Sequence, residues 1–297
     1  MLVHRNQFAV KPERVLLLGS GGFLTPELVR LLERDHIAFR AMGSNENDLT
    51  ASGADDVMAG ALRPGDAIVM AAALTPDKGR DVATLMKNLR MAENVCKALS
   101  RVAPAHFIYV SSDPVYDGRA SVLDEDSSCE PTDLYALMHI AREKMLGQSC
   151  KAAGIPFAVV RPCAIYGSGD THNSYGPNRF VRTAHKDRKI TLFGGGEEMR
   201  HHVHVTDVAK ILKLCIEHRS EGIINAITCR AVSFREVAEV VLAEFGEKIE
   251  LECLPRASPI THRHFDLTGL AKSFPDFSPI PLQAGISETI SGMAEGA

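Results

Sequence analysis

The stretch Arg14-Val15-Leu16-Leu17-Leu18-Gly19-Ser20-Gly21-Gly22-Phe23-Leu24-Thr25-Pro26-Glu27-Leu28-Val29-Arg30-Leu31-Leu32 decides the fold class. Its first part is an unbroken apolar run ending at glycine, which suits a strand buried on both faces of a parallel sheet. Its last part opens with proline and an acid and continues with leucines, as a helix start prefers. Between them lies Gly19-x-x-Gly22-x-x-Thr25. A helix N-terminus in that position offers unpaired N–H groups and a positive dipole end to a pyrophosphate. Glycine suits such a turn because a side chain would hold the backbone away from the phosphates. Glycines also serve ordinary strand–helix turns, so dinucleotide binding and a plain turn both remain open at this point.

The same rhythm repeats outward. Short apolar runs at Ala38–Met42, Asp66–Ala73, His106–Val110 and Phe157–Arg161 alternate with helical patterns at Val82–Leu99 and Asp133–Ala153. Strands alternating with helices at this spacing predict an α/β fold, a Rossmann-type doubly wound parallel sheet. Residues 1–13 read as a loosely held tail and 14–167 as the Rossmann domain, to which 207–229 return. Past Tyr166 glycine, asparagine and proline become dense and the elements shorten. Residues 168–206 and 230–297 are therefore expected to form a smaller C-terminal, substrate-binding lid.

Composition bounds the function. The 297 residues are 45% apolar and 24% charged, ordinary for a globular chain. A net charge of −4 excludes a global basic field, so neither nucleic acid nor a membrane surface is expected as a partner. The longest apolar runs, 15–18 and 67–74, are far shorter than the ~20 residues of a membrane-spanning helix. Basic residues scattered through the first fourteen positions argue against a secretory signal. Seven cysteines without a C-x-x-C spacing are expected as free thiols in a reducing cytoplasm. There is no tryptophan and there are five tyrosines, so the tyrosine positions carry information.

The second strand offers no acid to grip ribose hydroxyls; Phe39-Arg40-Ala41-Met42-Gly43-Ser44 instead presents Arg40 and Ser44. These suit the 2′-phosphate of NADP, although Arg40 reads equally as a solvated surface residue. The fourth strand delivers Ser111-Ser112-Asp113-Pro114-Val115-Tyr116 to the carboxyl edge of the sheet, where such folds bind ligands. Tyr135 and His139, four apart on the following helix, share one face.

At these residues the chain resembles the extended short-chain dehydrogenase/reductase family, the nucleotide-sugar epimerases, dehydratases and reductases. The resemblance runs over roughly 14–290. It rests on the Gly19/Gly22 turn, Ala71-Ala72-Ala73, Asn88, Ser111-Ser112-x-x-Val115-Tyr116, Tyr135, Arg161-Pro162-x-x-Ile165-Tyr166-Gly167 and Gly194-x-Gly196-x-x-x-Arg200-x-x-Val203-His204-Val205-x-Asp207.

The resemblance implies a NAD or NADP site, leaning to NADP. Its expected contacts are Gly19, Gly21, Gly22, Phe23, Leu24, Arg40, Ser44, Asp48, Leu49, Ala71, Ala72, Ala73, Val110, Tyr135, His139, Pro162 and Ile165. Tyr135 is implied as the acid/base at the sugar oxygen, with Ser112 bonding the same oxygen; Ser112 alternatively only caps its turn. A free phenol has a pKa near 10, so it needs a neighbouring positive charge to act as a base near neutrality. The family's lysine supplies that charge four residues later, where this chain has His139. A protonated imidazole would depress the phenol and donate to the ribose; the bland alternative is an inert helix residue.

The substrate is implied to be a nucleotide sugar, met by Ser112, Asp113, Asn178, Arg179, Arg200 and Arg263. Arginine suits a diphosphate because its fork binds two oxygens at once; Arg263 reads equally as a surface residue. Pro114 follows Asp113 where 4,6-dehydratases of the family carry a glutamate, so elimination is disfavoured and epimerase or keto-sugar reductase remain. Ala164 stands where relatives often have asparagine. His201, His202 and His204 do not make a metal site, because on a strand they point to opposite faces with no further ligand at the right spacing. Cys163 reads as packing. A homodimer is implied through the helices at 82–99 and 135–153. The competing reading, motivated by the missing lysine, is a cofactor-binding protein without turnover, acting as a sensor or assembly partner.

Overall fold

The computed structural model describes residues 2–118, 120–170, 172–246 and 249–295. In chain order the elements are β1 (Val3–His4), β2 (Arg14–Leu18), α1 (Leu24–Arg34), β3 (Phe39–Met42), α2 (Ala54–Ala61), β4 (Asp66–Met70), α3 (Val82–Leu99), β5 (His106–Val110), α4 (Leu134–Ala153), β6 (Phe157–Pro162) and β7 (Ala164–Tyr166). There follow α5 (Pro177–Asp187), β8 (Lys189–Phe193), β9 (Met199–Arg200), β10 (His202–His204), α6 (Val205–Glu217), β11 (Ser220–Ala226), β12 (Val232–Ser233), α7 (Phe234–Phe245), β13 (Glu250–Leu254), α8 (Thr268–Ser273) and α9 (Leu282–Glu295). Among the described residues no helix is long and apolar enough to cross a membrane.

The central sheet has the order β1-β11-β6-β5-β4-β2-β3, parallel throughout except for β1. The apolar runs of the strands follow from coverage on both faces. Val15 and Leu17 of β2 enter the cluster under α1 and α6, whereas Leu16 and Leu18 enter the cluster under α2, α3 and α4. Only one strand lies beyond β2, because Ser44-Asn45-Glu46-Asn47-Asp48 has no apolar alternation to add another. The chain runs outward from β2 to β3 and returns to β4 on β2's other side. A cleft therefore opens between the carboxyl ends of β2 and β4, where open α/β sheets take their ligands.

Of the expected tail 1–13, the described residues 2–13 are held more firmly than a loose tail. β1 pairs antiparallel with β11, Leu2 is buried, and the His4 ring bonds Ser220 Oγ and the Ser273 carbonyl, both at 2.8 Å. Their isolated position before the first apolar run hides this, since the partners lie more than 200 residues away.

A third apolar cluster gathers Phe180, Val181, Ile190, Leu192, Phe234, Val237, Val241 and Ile286 from α5, β8, α7 and α9. Three strand pairs frame it: β7 with β10, β9 with β12, and β8 with β13. Asp207, in the first turn of α6, ties this assembly to the sheet by accepting the Ile280 N–H at 2.6 Å and the Lys210 ammonium at 3.0 Å.

Two buried histidines make the fold acid-sensitive. Burial pushes His106 down to about 4 and His202 down to about 3. Each is neutral in the folded chain, while an unfolded histidine takes a proton near 6.5. Their contribution is complete above that value and is lost as pH falls toward their folded values, at about 1.4 kcal/mol per pH unit each. Burial raises Asp113 and Glu125, which act in the opposite sense. The urea midpoint, followed by circular dichroism, is expected to fall between about pH 7 and pH 5, and to fall less in His202→Phe. An unchanged midpoint over that interval contradicts this account.

Candidate active site

The glycine turn joins β2 to α1 under a tight constraint. Gly19 has φ +109°, and a Cβ there would lie 2.8 Å from the Ala72 nitrogen and 2.9 Å from its Cα. The turn thus packs backbone to backbone against the segment leaving β4. Gly19 N–H donates to the Met42 carbonyl at 2.9 Å, and Ala71 N–H to the Leu18 carbonyl at 3.0 Å. Thr25 donates its hydroxyl to the Gly19 carbonyl at 2.8 Å and so closes the turn from below. Above it there is space: a Cβ on Gly21 would meet nothing within 4 Å. Phe23 caps α1 without a side-chain hydrogen bond, leaving the first-turn N–H groups of that helix to a ligand. An uncapped helix end, a glycine cradle and open space above it fit a dinucleotide pyrophosphate.

The remaining expected cofactor residues divide. Arg40, Ser44 and Asp48 are exposed on the rim; Arg40 pairs with Glu46 at 3.1 Å, and Asp48 accepts from Thr50, which holds its carboxyl below the usual range. Ala71, Ala72 and Ala73 follow β4 along the cleft, partly buried, and Val110 lies partly buried at the end of β5. Leu24 and Leu49, by contrast, are buried in the two sheet clusters, so their side chains belong to the core. Pro162 is buried at the end of β6 opposite Ala226, and Ile165 packs from β7 against the sheet.

Two aspartates set the helices that carry the chemistry. Asp81 caps α3 through Thr84 N–H and Asp133 caps α4 through Ala136 N–H, both at 2.8 Å. The second cap fixes Tyr135 in the first turn of α4. Tyr135 lines a cleft of about 420 Å³ together with Leu74, Arg80, Asn88, Asp133 and Met138. Asn88, on α3, clamps the loop after β4 by accepting Leu74 N–H at 2.9 Å and donating to the Leu74 carbonyl at 3.0 Å.

Ser112 lies near enough to Tyr135 to pull its phenol down, so the expected pair is brought together. Burial nevertheless pushes the phenol up to about 12, against the opposing pull of Ser112 and of the Arg142 guanidinium. At neutral pH Tyr135 therefore keeps its proton. His139 corrects one expectation. It is buried, and burial together with Arg142 pushes it down to about 3, so it is neutral and is not the cation beside Tyr135. Its Nδ1 lies 2.7 Å from the Tyr109 hydroxyl, its ring meets Tyr135 edge-on at 4.7 Å, and its Nε2 has no partner in the fold.

On the substrate side, Arg263 donates to the Asp113 carbonyl at 2.8 Å and sits 3.5 Å from its carboxylate. Burial raises Asp113 despite Arg263 and Arg200 nearby. Arg200 spends its guanidinium on Glu198, Thr261 and the Met199 carbonyl. Asn178 accepts the Gly167 N–H at 3.0 Å from a buried position, and Arg179 is exposed on α5. His202 and His204 share one face of β10, and His201 faces the other way to the Thr228 carbonyl at 3.1 Å. Among the described residues no group of three or more His, Cys, Asp or Glu could hold a metal.

Residues 15–227 match the model of the NAD dependent epimerase/dehydratase family. The chain belongs to that family. Its curated relatives include the dTDP-4-dehydro-6-deoxy-D-allose reductase of Streptomyces bikiniensis, 32% identical over 140 residues, and the dTDP-4-dehydrorhamnose reductase of Mycobacterium tuberculosis, 31% identical over 166 residues. These matches cover 44% and 54% of this chain but 41% and 53% of the relatives' own length. A crystal structure of a GDP-L-fucose synthetase from Naegleria fowleri superimposes with a TM-score of 0.86 at 17% identity, over 98% of this chain and 96% of that one, which shows the shared fold.

Sequence reasoning missed Tyr109, Arg142 and the buried pair Glu143–Arg161 (2.7 Å). Arg142 was discoverable: it lies seven residues after Tyr135, on the same helix face.

The two glycines separate fold from ligand. Gly19→Ala is expected to cost about 1–3 kcal/mol through its positive φ and the clash with residue 72. Gly21→Ala is expected to leave the melting temperature unchanged while shrinking any stabilisation by NADH or NADPH. Equal melting temperatures for Gly19→Ala and the parent overturn the first half, and an undiminished nucleotide shift in Gly21→Ala overturns the second.

Proposed function

We propose that the protein is a nicotinamide-dependent reductase of a nucleotide-linked keto-sugar, with Tyr135 as the proton donor. The observation that carries this reading is the Tyr135 phenol, which lines the cleft beside Ser112 and is pushed up by burial to about 12. A bound reduced nicotinamide supplies the hydride to the carbonyl carbon. The chain's part is to orient that carbonyl with the Ser112 and Tyr135 hydroxyls and to pass the Tyr135 proton to its oxygen, leaving a phenolate that solvent reprotonates. An epimerase must begin by removing a proton from a sugar hydroxyl, and a phenol titrating near 12 is a poor base for that step. Pro114, with no proton to give, disfavours a 4,6-dehydratase. The names of the two curated relatives described above point the same way, since both are dTDP-keto-sugar reductases.

NADP is the preferred cofactor in this reading, because the end of β3 presents Arg40 and Ser44 and no acid that faces a ribose. Arg263, close to Asp113, and the exposed Arg179 are the arginines left to meet a diphosphate. A homodimer through α3 and α4 would cover Val82, Met86 and Leu137, which are exposed on those helices. All seven cysteines are free, in keeping with a cytoplasmic setting.

The test is NADPH consumption with a panel of dTDP- and UDP-linked 4-keto-6-deoxysugars. Turnover is expected with at least one, with Tyr135→Phe slower by about 10²–10⁴-fold and each NADPH oxidised matched by one sugar reduced. Retained turnover in Tyr135→Phe, or sugar conversion without net NADPH oxidation, overturns the reductase reading.

A further inference from the structure

Arg142 is fully buried, and among the described residues no carboxylate pairs with it. Its neighbour Glu143 is committed elsewhere, accepting from Arg161 at 2.7 and 3.0 Å and from Ser111 at 2.5 Å. Arg142 Nη2 donates to the Ala72 carbonyl at 2.7 Å, Nη1 lies 3.4 Å from Asn88 Oδ1, and Nε has no acceptor. The sulfurs of Met70 and Met138 flank it, and the guanidinium stands over the Tyr109 ring, 5.1 Å from its centre. A buried cation without an anion is costly, and it is rarely kept without a task.

Its position suggests the task. Side chains on a helix lean toward the N-terminus, so a residue two turns after Tyr135 sends its head back toward it. The contact with Met138 confirms that direction here. The same cation disfavours charge on His139. Tyr109 keeps its proton, because burial raises its phenol, and its hydroxyl finds its acceptor at His139 Nδ1. With the Tyr109 hydroxyl donating to Nδ1, the His139 proton is carried on Nε2, a buried atom without a partner among the described residues.

We propose that two residues divide the work that one lysine does elsewhere in the family. Arg142 supplies a permanent positive charge behind the Tyr135 phenol, and His139, set by Tyr109 as a neutral Nε2–H donor, supplies the hydrogen bond to the bound cofactor's hydroxyl. Arg142 is a positioning residue here, since it touches neither substrate nor cofactor. Facing Tyr135 besides Arg142 are Ser112 and Asp113 from the strand end and Asp133 from its own helix; both carboxylates push the phenol the other way. Unlike a lysine or a protonated histidine, a guanidinium keeps its charge at every pH at which the protein is folded.

The inference rests on Tyr135 being the acid, so its test reads that phenol directly as well as turnover. Replacing the five tyrosines by a fluorinated tyrosine lowers their titration into an accessible range, and ¹⁹F resonances report each one, with Tyr135→Phe identifying the relevant line. In Arg142→Met the Tyr135 midpoint is expected to rise by about one pH unit or more, and in Arg142→Lys to stay near the parent value. In His139→Lys/Arg142→Met it is expected to return. Should Arg142→Met not fold, Asn88→Asp places a carboxylate against the intact guanidinium and is expected to raise the midpoint in the same direction. An unmoved Tyr135 midpoint in Arg142→Met, or in Asn88→Asp where Arg142→Met does not fold, overturns the division of labour. Unimpaired keto-sugar turnover in Tyr135→Phe instead overturns the reductase reading, and the two failures are told apart because the midpoint needs no substrate.

Discussion

The contact between Gly19 and Ala72 is the constraint on which the site depends. Two stretches of backbone, one leaving β2 and the other leaving β4, approach too closely for any side chain between them. Several polar interactions converge on this junction. Thr25 bonds the Gly19 carbonyl, Ala71 bonds Leu18, Asn88 holds Leu74, and Arg142 reaches the Ala72 carbonyl. The cofactor cradle and the buried cation are therefore two sides of one piece of backbone.

The electrostatics of the cleft follow from how little of it is wet. Burial raises Tyr135, Tyr109 and Asp113, lowers His139, and favours the neutral form at each of these positions. Arg142 and the Glu143–Arg161 pair are buried charges close beside them. In a low-dielectric wall a single fixed cation acts over a longer range than it would in water.

Much of the architecture was legible in the chain. The apolar runs of β2, β5 and β6 and the patterns of α3 and α4 are read within a residue or two and β4 within three, because strands covered on both faces leave no polar positions to blur them. The N-terminal residues were misread as loose, since β1 gains its meaning from Ser220 and Glu221. At the site, the resemblance named Ser112 and Tyr135, and the structure brings them together. That the Leu24 and Leu49 side chains turn into the core was not legible, because a motif names positions along a chain and says nothing of which way a side chain turns.

By itself the sequence determined the sheet, its glycine turn, the Ser112–Tyr135 pair and the absence of lysine four residues after Tyr135. These depend on local spacing, on periodicity and on residue identity, all of which a linear chain carries. Only the tertiary structure shows that burial favours the neutral form of His139 and that Arg142 is buried among the same elements. Ionisation depends on burial and on distances between residues such as Ala72, Asn88, Tyr109 and Arg142, which come from β4, α3, β5 and α4 and meet only when the sheet is assembled.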